Sequence, residues 1–241
     1  MNILLIANPT VPVPPIGYGG AERVCYFVAE GLHHRGHDVT LLAGEGSSGP
    51  WRIVTYSFPR KQSLFYRAKS KLHFQFQSAL IARKHDVIIS FSRLDYLWLL
   101  MRMRKPILQR WGNDIPAEDE FLVPKCAHIH HISVSNAQRR HIDWGVWSTV
   151  PNGIPLHAFP FSREIGTYLA FLGRLHPSKG AHTAIKVAKL AGLSLKIAGN
   201  IPPGDECQSY FDSQIKPYLV SVLKDVESNE SVVMDGRRSD S

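Results

Sequence analysis

Cysteine is scarce in this sequence. The 241 residues contain three cysteines, Cys25, Cys126 and Cys207, which lie far apart and follow no metal-binding or redox spacing. Disulfide scaffolds and structural zinc sites need cysteines in pairs at short, regular intervals. The distribution therefore excludes a disulfide-stabilised or zinc-finger protein and predicts reduced thiols in a cytoplasmic compartment.

Long hydrophobic runs are also missing. The apolar run at residues 3–7 is too short for the core of a secretion signal and has no basic residue before it. No later run is long enough to cross a bilayer. We therefore expect a cytoplasmic protein without a membrane-spanning helix.

Acidic side chains are too few to balance the basic ones. Lys and Arg total 28 and Asp and Glu total 20, which gives a formal net charge of +8. This excess favours anionic partners, including phosphorylated small molecules, acidic lipids and nucleic acids. The sequence has no zinc-finger spacing, aromatic RNA-binding signature or basic recognition helix, so it predicts no nucleic-acid partner.

Strand and helix patterns alternate along most of the chain, which predicts an α/β protein. A buried strand at residues 2–7 precedes a Pro- and Gly-rich loop and a helix at residues 21–34, and similar cycles continue to residue 151. This order is typical of a doubly wound parallel sheet. A second cycle begins at Tyr168, so we predict two Rossmann-like domains with parallel sheets.

The predicted domains cover residues 1–155 and 165–241. The second contains only three predicted strands and is expected to be incomplete, because a self-sufficient unit of this type usually has about 150 residues. Three further helices are predicted from the patterns at residues 136–144, 178–191 and 206–223.

Two cations follow the predicted strand at residues 168–172. Arg174 comes just after the strand, and a helix predicted to begin at a Pro-Ser pair places Lys179 in its first turn. Free amides at a helix N-terminus resemble about half a positive charge, so a lysine there is disfavoured unless an anion is present. A bound phosphate group would remove the conflict. The alternative interpretation is a pair of solvated surface charges.

Six short motifs occur in a fixed order along nearly the whole chain. They are Gly17-Tyr-Gly-Gly-Ala-Glu-Arg-Val24, Arg35-Gly-His-Asp-Val39, Ser133-Val-Ser-Asn136, Val150-Pro-Asn-Gly-Ile154, Phe171-Leu-Gly-Arg-Leu-His-Pro-Ser-Lys-Gly180 and Lys196-Ile-Ala-Gly199. Together they resemble glycosyltransferase family 4. Members of that family are retaining, nucleotide-sugar-dependent enzymes with the GT-B fold.

The resemblance implies a reaction and a set of site residues. A sugar would move from a nucleoside diphosphate sugar to a hydroxyl group of a glycan, lipid-linked or small-molecule acceptor, with retention of the anomeric configuration. The residues that match the family's donor diphosphate site are Gly19, Gly20, Gly173, Arg174, Lys179 and Gly199. Arg174 and Lys179 would stabilise the leaving diphosphate, so no metal or other cofactor is expected.

Three candidate residues also have a structural interpretation. Glu22 falls in the first turn of the first helix, where a carboxylate complements the helix dipole, and a direct role at the sugar or acceptor is the other interpretation. Gly173 and Gly199 follow strands, where a glycine can serve a turn or a close packing contact instead of a ligand.

The sequence departs from the family pattern in two places. Trp111 replaces a histidine that the family usually places near the reacting sugar; it is a candidate for stacking on a sugar or for packing at a strand end. Asp114 is a candidate polar substitute. The family's Glu-rich motif, which binds the donor's sugar and ribose, does not occur before Ser241.

These departures leave two functions open. The first is glycosyl transfer in glycan, glycolipid or glycosylated-metabolite synthesis, which is the activity of the parent family. The alternative is a non-catalytic remnant that binds a nucleotide sugar or phosphate. An epimerase of the same fold fits the motifs less well, and no Gly-x-Gly-x-x-Gly follows the first strand to indicate an oxidoreductase.

Residues 64–76 combine aromatic side chains with Arg67, Lys69 and Lys71. Relatives that use membrane acceptors often present such a surface, which favours a weak peripheral contact with anionic membrane. The alternative is an amphipathic core helix with a solvated basic face.

Overall fold

The chain folds into two compact units, Met1–Phe159 and Pro160–Ser241. The structure, a computed structural model, describes residues 1–17, 19–57, 63–113, 115, 128–219, 221–224 and 232–236.

A seven-stranded parallel sheet forms the centre of the first unit. Its strands are β1 (Asn2–Ile6), β2 (Asp38–Gly44), β3 (Arg52–Tyr56), β4 (Val87–Ser90), β5 (Ile107–Arg110), β6 (Ile129–Ser133) and β7 (Val146–Thr149). Their order is β3-β2-β1-β4-β5-β6-β7, and all neighbouring pairs are parallel. The chain leaves β1 toward β3 and returns to the other side of β1 at β4. The topological switch therefore lies between β1 and β4, where sheets of this kind bind ligands at the carboxyl ends of their strands.

Helices cover both faces of this sheet. They are α1 (Gly20–His34), α2 (Leu64–Ala82) and the short α3 (Trp98–Met101). Leu4 of β1 shares a buried cluster with Phe74 of α2, while its neighbour Leu5 shares another with Cys25 of α1. Successive side chains of a strand point to opposite faces of the sheet. A strand in which successive side chains are buried therefore has helices packed on both faces. The predicted doubly wound α/β architecture is confirmed.

The helix predicted at residues 136–144 is wrong. This segment forms successive turns, and β7 begins at Val146. Gln138 bonds to backbone groups outside this segment: its Oε1 accepts a hydrogen bond from the Val134 N–H (2.8 Å) and its Nε2 donates to the Asn113 carbonyl (2.6 Å). Polar side chains that bond nearby backbone groups in this way compete with the helical pattern.

The second unit contains a smaller, mixed sheet. Its strands are β8 (Tyr168–Leu172), β9 (Ser194–Ala198), β10 (Ser221–Lys224) and β11 (Val232–Gly236), in the order β10-β11-β9-β8. β8 and β9 are parallel as predicted, but β11 is antiparallel to both β9 and β10.

The segment between β9 and β11 also differs from the prediction. The helix predicted at residues 206–223 is observed only as α5 (Asp205–Gln214), after which a 3₁₀ turn at Lys216–Tyr218 leads to β10. Pro217 lies in that turn and has no amide hydrogen with which to continue a helix. β10 runs in the same direction as β9, and β11 pairs between them in the opposite direction, so β11 is the strand that reverses.

The helix that follows β8 is α4 (Ala181–Ala191), which packs with α5 on the second sheet. The shared core contains Leu175, Ala181, Ile185, Ala188, Leu195, Ile197, Tyr210, Phe211 and Ile215. This core fixes the turn that joins β8 to α4, where the predicted cations lie.

Candidate functional site

The carboxyl ends of β8 and β9 lie side by side. Leu172 is paired with Ala198, and the Gly173 N–H donates a hydrogen bond to the Ala198 carbonyl (2.9 Å). A Cβ atom added at Gly199 would lie 1.7 Å from the Gly173 carbonyl oxygen. Glycine is required at position 199 by this backbone contact alone, so packing accounts for Gly199 without any ligand.

Gly173 is not constrained in the same way. A Cβ there would lie 3.6 Å from the nearest atom, Phe171 Cζ, which is an ordinary van der Waals distance. The residue is part of the backbone bend between β8 and Arg174. Packing within the protein therefore does not explain the glycine at position 173, and a bound ligand remains an explanation for it.

Arg174 and Lys179 lie at the two ends of the β8–α4 connection. Leu175 anchors the connection, since it is fully buried and its N–H donates to the Asn200 carbonyl (2.9 Å). Arg174, just before this anchor, is half-buried, whereas Lys179 is exposed. Among the described residues, no carboxylate lies within 4.0 Å of the Lys179 ammonium.

The predicted start of the helix at residue 178 is wrong. Pro177–Lys179 form a 3₁₀ turn, Gly180 adopts a left-handed conformation (φ 76°), and α4 begins at Ala181. A residue with positive φ interrupts the helical path, and glycine adopts this conformation without strain. Lys179 therefore precedes the helix instead of lying in its first turn.

The first amides of α4 are largely occupied within the protein. The His182 N–H donates to the Tyr210 hydroxyl (3.2 Å), and the Thr183 and Ala184 N–H groups donate to the Gly180 carbonyl (2.9 and 3.0 Å). The helix start thus contributes less to an anion site than the sequence suggested. The positive charge of the site comes from the two side chains.

His176 organises the same turn, although the sequence analysis did not single it out. Its Nδ1 accepts a hydrogen bond from the Ser178 N–H (3.2 Å) and lies 2.8 Å from the Ser178 hydroxyl oxygen. The ring therefore caps the 3₁₀ turn through Nδ1. Histidine is not one of the side chains usually preferred at an N-cap, so the sequence gave no signal for this role.

Gly19 and Gly20 occupy the start of α1 in the first unit. A Cβ at Gly19 would lie 2.6 Å from Pro15 Cβ and 3.1 Å from Glu22 Oε2, whereas a Cβ at Gly20 would meet nothing within 4 Å. Local packing therefore explains Gly19, and no contact within the protein explains Gly20. Glu22 lies in the first turn, where its carboxylate complements the helix dipole.

Trp111 is buried in the core cluster beside α2. Its indole N–H donates to His131 Nδ1 (3.1 Å), and its ring stacks with Trp147 at 6.3 Å between centroids. With 6% of its surface exposed, Trp111 has little ring face to offer a sugar. Asp114 lies outside the described residues.

His131 is fully buried among Trp111, Trp144 and Trp147. It stacks on Trp147 at 4.8 Å and meets Trp144 edge-on at 5.4 Å. Burial, together with the neighbouring His130, lowers the pKa of His131 from its ordinary 6.5 to about 4. The sequence gave no sign that this ring would form part of a tryptophan core.

Mild acid is expected to destabilise the first unit through His131. Because the pKa of His131 is lower in the folded protein, the unfolded chain binds a proton first as pH falls below about 6.5. The resulting loss approaches about 3 kcal/mol near pH 4. Urea unfolding at several pH values, followed by tryptophan fluorescence, measures this slope. His131→Phe should flatten it and His34→Gln should not; equal slopes for His131→Phe and the wild type would contradict the assignment.

Comparison with known proteins supports the fold and the family resemblance. Residues 18–117 match the family model described as Glycosyltransferase Family 4. No curated protein matches the sequence at a significant level.

Two solved structures show the same fold. One is AviGT4, a glycosyltransferase involved in avilamycin A biosynthesis, with a TM-score of 0.58 and 19% identity over 88% of this chain and 60% of that chain. The other is a sucrose-phosphate synthase from Thermosynechococcus elongatus, with a TM-score of 0.62 and 12% identity over 88% of this chain and 66% of that chain. The present sequence thus spans about three fifths to two thirds of their lengths. The predicted resemblance to glycosyltransferase family 4, with its GT-B fold, is confirmed.

Proposed function

We propose that this protein transfers a sugar from a nucleoside diphosphate sugar to a hydroxyl acceptor with retention of configuration. The observation that carries the proposal is the placement of Arg174 and Lys179 around the β8–α4 turn, at the carboxyl edge of a parallel strand pair. That edge is where open α/β sheets bind their ligands. Both side chains are cationic, and Gly173, directly before Arg174, adds no side chain at the same edge.

The reaction suits this arrangement. When the bond between the sugar's anomeric carbon and the phosphate oxygen breaks, its electron pair stays on the diphosphate. The acceptor oxygen bonds to the anomeric carbon, and its proton passes to the departing diphosphate or to solvent. Because negative charge grows on the diphosphate as the bond breaks, fixed cations stabilise the transition state more than the bound donor.

A screen of nucleoside diphosphate sugars tests the proposal. The protein is incubated with each donor and with a mixed set of hydroxyl acceptors, and product formation is followed by mass spectrometry. NMR of the anomeric proton then reports the configuration of the product. Release of diphosphate together with a retained glycoside is the expected result; an inverted glycoside would contradict retention.

A non-catalytic binding role is the second candidate. It is favoured by Trp111, which replaces the family's histidine and is buried with its N–H bonded to His131. Under this alternative the protein binds a donor with unchanged dependence on Arg174 and Lys179 but shows no turnover. Thermal shift and product formation, measured on the same donors, separate the two roles.

We also propose that the exposed side of α2 contacts an anionic membrane from the cytoplasm. Four large apolar side chains, Phe65, Leu72, Phe76 and Leu80, are each at least half exposed. Their spacing places them on one stripe of the helix, together with Lys69. A helix with an exposed apolar stripe and basic neighbours suits the interface of an acidic bilayer. No described helix is long and apolar enough to span a bilayer.

Liposome flotation is expected to show weak binding to anionic vesicles at low salt and none to zwitterionic vesicles. Replacing Leu72 and Phe76 by Glu should abolish it, because the apolar stripe then carries negative charge. Leu190→Glu, which alters an exposed apolar residue of α4, serves as the matched control. Failure of the wild type to float with anionic vesicles would rule out the contact.

A further inference from the structure

Arg110 is a buried cation in the first unit that the proposed chemistry does not use. It ends β5, and only 9% of its surface is exposed. Its guanidinium carbon lies 5.4 Å from the centroid of the Phe91 ring. A Cβ atom added at Gly112 would lie 3.0 Å from Arg110 Nη1 and 3.9 Å from Ala21 Cβ. The guanidinium is therefore close to the first turn of α1.

No acidic group balances this charge among the described residues. Arg110 Nη2 donates a hydrogen bond to Asn152 Oδ1, which is a neutral acceptor. No described carboxylate, including that of Glu22, lies within 4.0 Å of the guanidinium. The Cys25 thiol is the acidic group that interacts with it electrostatically, but burial raises the pKa of Cys25 so that the thiol stays neutral.

The surroundings make this cation more costly. Burial lowers the pKa of Arg110, yet a guanidinium stays protonated at neutral pH. The nearby start of α1 carries partial positive charge, which repels a cation. A buried charge without a counter-ion is unfavourable unless a ligand supplies the opposite charge.

Two neighbouring polar atoms also lack partners among the described residues. They are Ser92 Oγ and Gln109 Oε1, and both residues are almost completely buried. Gln109 Nε2 donates to the Ser92 carbonyl (2.9 Å), which places the two residues together where β4 and β5 end. This edge of the sheet is thus both polar and positively charged.

We propose that Arg110 binds a phosphoryl anion of a substrate at the carboxyl edge of the first sheet. The inference rests on the proposed glycosyl transfer for the origin of the anion, which is either the donor's diphosphate or a phosphate ester on the acceptor. It concerns Arg110 in the first unit, and its test is separate from that of Arg174 and Lys179 in the second. Arg110 then determines specificity, because a substrate without the phosphoryl group leaves the guanidinium uncompensated.

Calorimetric titration of the whole chain tests the proposal with two probes, inorganic pyrophosphate for the donor and glycerol phosphate for the acceptor. Arg110→Gln should weaken binding of at least one probe by about tenfold to a hundredfold, as expected when a charge-assisted hydrogen bond is lost. Its thermal midpoint without ligand should equal or exceed that of the wild type, since an uncompensated charge has been removed. Arg35→Gln, an exposed arginine at the far end of α1, controls for the change in net charge.

Each outcome decides the question. Loss of pyrophosphate binding assigns the donor as the source of the anion, and loss of glycerol phosphate binding assigns the acceptor. Unchanged affinities in Arg110→Gln, a wild type that binds neither probe, or a lowered midpoint with normal binding would overturn the proposal. If Arg110→Gln does not fold, Arg110→Lys keeps the charge without the planar fork and should bind severalfold more weakly; binding equal to wild type would overturn it.

The same probes distinguish failure of the proposed function from failure of the Arg110 site. Arg174→Ala and Lys179→Ala test the second unit with the same two probes. If these variants bind both probes normally while Arg110→Gln does not, the donor site assigned to the second unit is wrong and the Arg110 site stands. The opposite pattern retains the donor site and removes the Arg110 site.

Discussion

Replacing either Arg174 or Lys179 by alanine is expected to lower kcat/KM for sugar transfer by about a hundredfold to a thousandfold, the range seen when one fixed transition-state donor is removed. The physical reason is that the diphosphate gains negative charge as the sugar leaves. Both cations lie on a short turn that is anchored by buried Leu175, so little reorganisation is needed when that charge develops. The loss should appear mainly in kcat.

Matched variants distinguish this role from general charge effects. Lys186→Ala removes an exposed lysine further along α4 and should leave transfer unchanged. Arg174→Lys keeps the positive charge but loses the planar guanidinium group, which can donate two parallel hydrogen bonds. This variant should therefore retain only part of the transfer rate. Equal losses in Lys186→Ala and Lys179→Ala would show that net charge, not position, governs the rate.

The second large effect is expected for Gly199→Ala, which should destabilise the second unit by about 3 kcal/mol, the upper end of the usual cost of overpacking. The new methyl group would lie 1.7 Å from the Gly173 carbonyl oxygen. That oxygen belongs to the backbone, and the Gly173 N–H is bonded to the Ala198 carbonyl. The clash is therefore relieved only if the ends of β8 and β9 separate.

Gly173→Ala is the matched control, because its methyl group would make an ordinary contact with Phe171. Urea unfolding should give Gly173→Ala a free energy of unfolding close to that of the wild type. If its anion affinity falls at the same time, the ligand and not the packing requires glycine at 173. Equal stability of Gly199→Ala and the wild type would contradict the close contact.

Local patterns predicted the order of the elements because each pattern reflects burial within one segment. β1 is apolar at successive positions, and this continuous run already implied buried side chains on both faces of the sheet. The first residue of α4 could not be predicted in the same way. Whether Gly180 joins the helix or adopts positive φ depends on how Leu175 and Ala181 are held in the core.

Contacts between distant segments could not be predicted from the sequence either. The type and position of Arg174 and Lys179 after a strand indicated an anion site, since strand ends are recognisable from composition. The partners of Trp111 and Arg110 come from β6 and from the segment after β7, so neither His131 nor Asn152 could be assigned. The antiparallel entry of β11 likewise depends on tertiary pairing.

NMR titration with a nucleoside diphosphate tests the central claim most directly. If cations of the β8–α4 turn bind the diphosphate, backbone amide resonances at residues 173–176, 178–180 and 199 should shift in a saturable manner. The shifts should disappear in the Arg174→Ala, Lys179→Ala double variant. Saturable shifts that avoid these residues, or that persist unchanged in the double variant, would contradict the account.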